Sequence, residues 1–418
     1  MAKQIMTDPE TGEKRCRCFK RCGGCQLDEP YAEQLRRKQE KAERMLSEFA
    51  PVRQILAMDS PYAYRCKVQN LYAADGRGRI LSGVYQSSSR RMTAVDDCML
   101  EDRRAAPIVS TLKKLMHDLR IPPFDLRTGT GILRHTLIRT SPATGQVMLV
   151  LVTASPLLPA KNRLTGALRK AHPELTTIVQ NICPDGLPLT LGPRSITLYG
   201  DGYIEDIVCG CRFRISPASF YQVNPEQTEK LYTCAVDAAG IADRDFVIDA
   251  YCGTGTIGIL CAKKGADVAG VELNRAAVRD AVENARLNGL KTIRFCNEDA
   301  GRFMQRLAAE HTHCDVLMMD PPRAGASAEF LRSAAKLRPD RIVYVSCGIE
   351  TLQRDLTQLC RMGYRAEFVQ PVDMFPHTTG IENVVLLRAV PDRPEGRGKP
   401  HPRQHGGSSS RQSRSSVS

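Results

Sequence analysis

Three loops in the C-terminal half hold residues able to make and break bonds. VYVSCG puts Cys347 directly after a run of strand formers. Asp320-Pro-Pro-Arg323 follows another such run, CDVLMM, and prolines there fix a loop without spending backbone donors. Asp373-Met-Phe-Pro-His-Thr-Thr-Gly-Ile-Glu382 leads into a third, offering Asp373, His377 and Glu382. A cysteine attacks as its thiolate, and the helix expected to start at TLQRDL would lower the Cys347 pKa. A glutamate entering an apolar strand has a raised pKa and suits proton transfer. The plainer alternatives are a buried, inert thiol for Cys347 and a helix cap for Asp320. Special residues at two adjacent strand ends favour a site.

A fourth loop looks like a nucleotide cradle. Gly253-Thr-Gly-Thr-Ile-Gly258 fits G-x-G-x-x-G, follows a strand and opens a helix, and Glu272 ends the next strand where an acid binds ribose hydroxyls. By those letters alone the ligand could be NAD. Asp249 just before the glycines would repel a pyrophosphate, however, and suits an amino group and a sulfonium. Asp299, in FCNEDAGRF, is placed to meet an adenine amino group. The expected ligand is therefore S-adenosylmethionine. A methyl donor, a thiol and a base together fit methylation at carbon 5 of a pyrimidine. Thiolate addition at carbon 6 makes carbon 5 enolate-like and able to take a methyl group. Cys347 is then the nucleophile and Glu382 the base that removes the carbon 5 proton, acting on a nucleotide flipped out of its stack.

Positioning these loops takes an α/β domain. FVIDA, DVAGVE, CDVLMM, RIVYVS, YRAEFVQPV and NVVLLRAV read as strands, with helical stretches such as RAAVRDAVENARLNG and TLQRDLTQLCRMG between them. That alternation means a doubly wound, mostly parallel sheet over 211–390. No helix fits between the last two strands, which predicts an antiparallel last strand at the sheet edge. Residues 51–210 alternate short strand-like runs with Pro and Gly turns and read as an α+β central domain. Residues 1–50 hold a cysteine-rich segment and an amphipathic helix over Glu29–Phe49. Leu35, Ala42, Met45 and Leu46 form its apolar stripe, and its charged faces are expected in solvent. The tail, 391–418, is rich in Pro, Gly, Ser and Arg and is expected to be disordered.

A net charge of +13 over 418 residues suits a polyanionic partner such as nucleic acid. No apolar run is long enough to span a bilayer, and the N-terminus does not read as a secretory signal. A cytoplasmic protein is expected, so the 16 cysteines are metal or catalytic ligands, or small buried hydrophobes such as Cys234, Cys261 and Cys360. Cys16, Cys18, Cys22 and Cys25 crowd into ten residues around a Gly-Gly turn. Thiolates in such a cluster suit zinc or an iron–sulfur cluster equally well.

ISPASFYQVNPEQTEKLY, DAYCGTGTIGI, GVELN, DPPRAG, VYVSCGIETLQRDL and PVDMFPHTTGIENVVLL together resemble the RNA uracil-5-methyltransferases, over about residues 16–390. The resemblance implies a Rossmann-like class I methyltransferase domain and a central domain that binds RNA. It implies that Gln222, Tyr251, Glu272 and Asp320 contact S-adenosylmethionine, with Thr256 standing where some members have Asn. Cys347 and Glu382 keep the roles given above, and Arg323 organises the site or the RNA. Gly380 stands where many members have His, which leaves the second histidine of that motif without a role here. The resemblance also implies a [4Fe–4S] cluster on Cys16, Cys22, Cys25 and Cys98, with Cys18 spare. Cys18 in place of Cys16 is the alternative set, and Cys66 a weaker fifth candidate. Such a knot marks the branch acting on 23S rRNA, so the expected activity is uridine methylation in 23S rRNA by a monomer, with RNA and neither DNA nor membrane as partner. A tRNA uracil-5-methyltransferase is the alternative. An RNA cytosine-5-methyltransferase comes next, disfavoured because Arg323 stands where those enzymes carry a second cysteine. An NAD oxidoreductase and a non-catalytic iron–sulfur RNA-binding protein fit the other loops less well.

Overall fold

The computed structural model describes residues 4–86, 89, 91–184 and 190–391. Apart from its first residue, the tail expected at 391–418 lies outside them. The chain opens with a small hairpin, β1 (Ile5–Thr7) and β2 (Lys14–Cys16), then a helix, α1 (Tyr31–Leu46). β3 (Lys67–Ala74), β4 (Ile80–Tyr85), β5 (Met92–Ala94), α2 (Ala105–Asp118), β6 (Leu133–Thr140), β7 (Val147–Thr153), α3 (Lys161–Ala171), β8 (Leu175–Ile182) and β9 (Arg194–Tyr199) follow. Their sheet runs β5-β4-β3-β6-β7-β8-β9, antiparallel except between β7 and β8, which α3 links. β7 is buried at every position, as a strand covered on both faces must be. On one face lie Ile108, Leu112 and Met116 of α2 with Leu164 and Leu168 of α3. The other face meets Ile204 and Ile215 of a hairpin, β10 (Ile204–Val208) and β11 (Cys211–Ile215). The turn of this hairpin is Cys209-Gly210.

The second large sheet is built from α4 (Pro225–Ala239), β12 (Phe246–Ala250), α5 (Thr256–Lys263), β13 (Asp267–Glu272), α6 (Arg275–Leu287), β14 (Ile293–Asn297), α7 (Ala300–Ala309), β15 (Val316–Met319), α8 (Ala328–Leu337), β16 (Arg341–Ser346), α9 (Ile349–Arg361), β17 (Tyr364–Val372) and β18 (Glu382–Ala389). Its order is β14-β13-β12-β15-β16-β18-β17. Alternate residues face opposite layers, as the pleat requires. Ile248 and Leu317 pack with Leu46, Phe303, Phe330 and Leu352 of α1, α7, α8 and α9. Val247 and Val316 pack with Leu231 and Ile259 of α4 and α5.

Two sequence expectations are corrected here. The last strand is antiparallel but not at the edge, because β18 lies between β16 and β17 and pairs antiparallel with both. β17 takes the edge, where Val52 and Leu56 bridge to Val369 and Val372. The solvated charged faces of α1 are corrected in part. Its buried residues are Gln34, Lys38, Ala42 and Leu46, one per turn along a single stripe, and two of them are polar.

Candidate active site

The sheet gathers the special residues at one edge. β12, β13, β15 and β16 run parallel, so the loops after Ala250, Glu272, Met319 and Ser346 emerge on the same side. β18 runs the other way, so its first residue, Glu382, starts at that edge.

The glycine loop is shaped by contact as much as by flexibility. Tyr251 and Gly255 both have positive φ, and a Cβ on Gly255 would come within 2.7 Å of the Phe295 ring. Asp249 is buried beneath the loop and accepts the Gly258 N–H at 2.7 Å, while its Oδ1 has no partner. Burial pushes its carboxyl up to about 7. Glu272 accepts Gly253 N–H at 3.2 Å and Asn274 N–H at 2.7 Å, so it ties the loop to the end of β13. Tyr251 packs on Phe330 with ring centroids 5.3 Å apart. Thr256 opens α5, and its hydroxyl lies 3.4 Å from that of Thr254. Asp299 is exposed and caps α7, accepting Arg302 N–H at 3.1 Å.

Gln222 lies beside the buried phenol of Tyr232, which also feels the charges of Asp320 and Glu382. The nearby helix cap is Asn224, not Gln222. Phe220, two residues earlier, is 66% exposed, a large ring left open to solvent. Sequence reading missed it, because with 12 tyrosines and 11 phenylalanines the sequence does not show which ring stays exposed. Arg139 of β6 donates to the carbonyls of Pro217 and Ser219, and the Ser216 and Ser219 hydroxyls donate to Asp280 of α6. The segment carrying Phe220 and Gln222 is thus held between the central sheet and the glycine-loop layer.

Asp320, Cys347 and Glu382 share one electrostatic field. Glu382 is buried, and desolvation pushes its carboxyl up to about 8, with Asp320 adding and Arg323 opposing. Desolvation alone pushes Asp320 up to about 7. Asp320 caps no helix, since α8 starts later with Ser327 as its cap. Cys347 sits half-buried between β16 and α9, and its thiol is raised, not lowered. Desolvation comes first, then the carboxylates Glu382 and Asp320, and together they outweigh Arg323. The direction is opposite to the lowering expected from the helix terminus, because burial first, and then carboxylates from two other loops, raise the thiol.

The loop after Asp320 is pinned from α9. Thr351 donates to the Arg323 carbonyl at 3.1 Å, and Arg354 donates to the carbonyls of Ala324 and Ala326. Asp355 is fully buried and accepts Ala326 N–H at 2.8 Å and the Tyr344 hydroxyl at 2.7 Å. The helical pattern of TLQRDL gives no sign of this role. Asp355→Ala leaves two buried donors unpaired and should lower the unfolding free energy by about 3 kcal/mol, read from the denaturant midpoint.

The N-terminal cysteines interact electrostatically with one another. Cys25 feels the charges of Cys22 and Cys16, and Cys98 feels that of Cys25. Cys16, Cys25 and Cys98 pack against Met58, Tyr64, Met99 and Leu100. The Cys18 thiol lies 4.0 Å from the Ala94 carbonyl. All of these thiols are free, a soft donor set suited to zinc or to iron and sulfide. Among the described residues, however, no group of three or more His, Cys, Asp or Glu side chains is arranged to hold a metal ion. Nor is any helix there long and apolar enough to cross a membrane.

The sequence profile for tRNA (Uracil-5-)-methyltransferase matches residues 208–390. An uncharacterized RNA methyltransferase of Halalkalibacterium halodurans is 39% identical over 389 residues, covering 92% of this chain and 85% of that protein. Another, from Caldanaerobacter subterraneus subsp. tengcongensis, is 38% identical over 380 residues, covering 90% and 84%. Among solved structures, the Pyrococcus abyssi tRNA (uracil-54, C5)-methyltransferase in complex with S-adenosyl-L-homocysteine superimposes with a TM-score of 0.73. At 23% identity over 93% of this chain and 92% of that one, it shows that the fold is shared. With identity near two-fifths across nine-tenths of its length, the chain belongs to the RNA uracil-5-methyltransferases, which take their methyl group from S-adenosylmethionine.

Proposed function

We propose that the chain methylates carbon 5 of a uridine in 23S rRNA through a covalent bond from Cys347 to carbon 6. The observation that carries this reading is the shared field of Cys347, Glu382 and Asp320 at neighbouring strand ends. S-adenosylmethionine supplies an electrophilic methyl group. Gln222, Tyr251, Thr256, Glu272, Asp299 and Asp320 would hold it, Glu272 at the ribose and Asp299 at the adenine. The Cys347 thiolate adds to carbon 6, and carbon 5 then accepts the methyl. Glu382 takes the carbon 5 proton, the double bond reforms, and the carbon–sulfur bond breaks to free the thiolate. Phe220 offers its open ring face to the flipped base. The central domain, residues 51–210, supplies the RNA grip, and the enzyme works as a cytoplasmic monomer.

Cys16, Cys22, Cys25 and Cys98 are the proposed ligands of a [4Fe–4S] cluster. Cys25 is coupled to Cys22 and Cys16, and Cys98 to Cys25, but Cys18 is coupled to Cys16 and Cys22 as well, so the choice of this set rests on the family resemblance. The cluster supports the ribosomal reading. A tRNA substrate is the second reading, favoured by the names of the matching family and of the Pyrococcus abyssi enzyme.

Incubation with labelled donor and transcripts of 23S rRNA and tRNA tests both. Label in rRNA uridine is expected. Label in tRNA alone would overturn the ribosomal assignment, and label in no uridine RNA, with donor bound normally, would overturn the activity. Anaerobically prepared protein should contain iron and sulfide in equal amounts and lose its brown colour in Cys22→Ser. Stoichiometric zinc would refute the cluster.

A further inference from the structure

Glu382 begins β18, and its partner across the ladder is Val372, the last residue of β17. The loop between them therefore starts and ends beside the base. Its first five residues, Asp373 to His377, are held largely from the N-terminal part of the chain. Lys38 of α1 is buried, pairs with the fully buried Asp373 carboxylate and donates to the Phe375 carbonyl at 3.1 Å. Tyr31 donates its hydroxyl to the other Asp373 oxygen at 2.8 Å. The Gln34 amide oxygen accepts the His377 N–H at 2.8 Å, and its nitrogen lies 3.2 Å from His377 Nδ1. The His377 carbonyl accepts the N–H groups of Gln26 and Leu27, immediately after Cys25.

This costs more than a loop needs merely to fold. A buried ion pair loses hydration that an apolar pair of the same size would not, and breaking it leaves an uncompensated charge. Such a pair fixes geometry, and the group at the end of this loop that needs fixed geometry is the Glu382 carboxylate.

We propose that Lys38, Tyr31 and Gln34 are positioning residues for the proton abstraction by Glu382, acting through the Asp373–His377 loop. The inference rests on the covalent mechanism above. It separates two steps of that mechanism. Attack by Cys347 and methyl acceptance do not use Glu382. Removal of the carbon 5 proton and release of the thiolate do. A displaced base therefore stalls the enzyme after methylation, as a covalent protein–RNA adduct on ordinary uridine. With 5-fluorouridine RNA there is no carbon 5 proton to take, so adduct formation reads the early step alone.

The test compares wild type with Tyr31→Phe, Gln34→Ala and Lys38→Met, using methyl donor with ordinary and with 5-fluorouridine transcripts. For the variants, turnover on ordinary RNA should fall roughly 10- to 100-fold, since misplacement by about an ångström costs that much. Adduct that survives denaturation should accumulate on ordinary RNA at about ten times the wild-type level, while the 5-fluorouridine adduct forms within about twofold of the wild-type rate. Loss of both in equal measure, with melting temperature and S-adenosylhomocysteine affinity unchanged, would overturn the positioning role. If Lys38→Met does not fold, Tyr31→Phe decides, because it removes no charge, only the hydrogen bonds of one hydroxyl to Asp373 and from the Met58 N–H. Failure of the wild type itself to form the 5-fluorouridine adduct would instead overturn the covalent mechanism.

Discussion

Cys347→Ala should reduce methyl transfer by about 10⁴-fold or more, to the background of uncatalysed reaction. Carbon 5 of a uracil ring is a poor nucleophile until carbon 6 carries an added group, and no other thiol has been placed beside Asp320 and Glu382. S-adenosylhomocysteine affinity should stay within about twofold, because Cys347 does not belong to the donor cradle. The denaturation-resistant adduct with 5-fluorouridine RNA should disappear. Cys347→Ser should not restore it. The desolvation and the two carboxylates that raise the thiol would hold a hydroxyl neutral even more firmly. For the same reason the wild-type thiol should alkylate slowly at neutral pH and faster as pH rises. Arg323→Ala should slow it further, since Arg323 is the charge that opposes the rise. Full methylation by Cys347→Ala would rule out the covalent route.

The doubly wound sheet was legible because its strands are covered on both faces and therefore read as apolar runs. The chemistry-bearing loops were legible because they follow those runs directly. What stayed hidden is long-range. Periodicity says that two strands end the chain but not that the last inserts between its neighbours, since order depends on pairing and not on pattern. Polar residues on a charged helix read as solvated, yet Gln34 and Lys38 are buried because a loop about 340 residues later supplies their partners. Asp355 was invisible for the same reason, its donors being Tyr344 and Ala326. At Cys347 the local signal, a following helix, pointed to a lowered pKa, and burial, with carboxylates from two other loops, shifts it the other way. Gln222 and Thr256 were reached through family resemblance, because a Gln near a helix start and a Thr in a glycine loop carry no chemistry of their own.

Glu382→Gln should stall the reaction after methyl transfer, with turnover falling about 10³-fold and the covalent adduct accumulating on ordinary uridine RNA. The amide keeps the shape of the side chain and cannot accept the proton. Only the carboxylate is a base, and burial holds the group near 8, so in the wild type much of it is protonated at neutral pH. Decay of a pre-formed adduct should therefore speed up about tenfold per pH unit below about 8 and level off above it, and Glu382→Gln should remove that slope. A flat profile in the wild type would assign the proton to another group. The same shift has a signature in stability. The folded value, about 8, lies above the ordinary 4.5, so between them the folded state holds a proton that the unfolded state has lost. Stability should then fall as pH rises through that window. Asp320 and Asp249, both raised to about 7, act in the same direction from about 4 upward. Glu382→Gln cannot ionise, so it should lose part of this slope and be relatively more stable than wild type at alkaline pH, where the wild-type base is most active. A desolvated base that is reactive when ionised is for that reason a destabilised part of the fold, and the clamp from α1 is what keeps it in place.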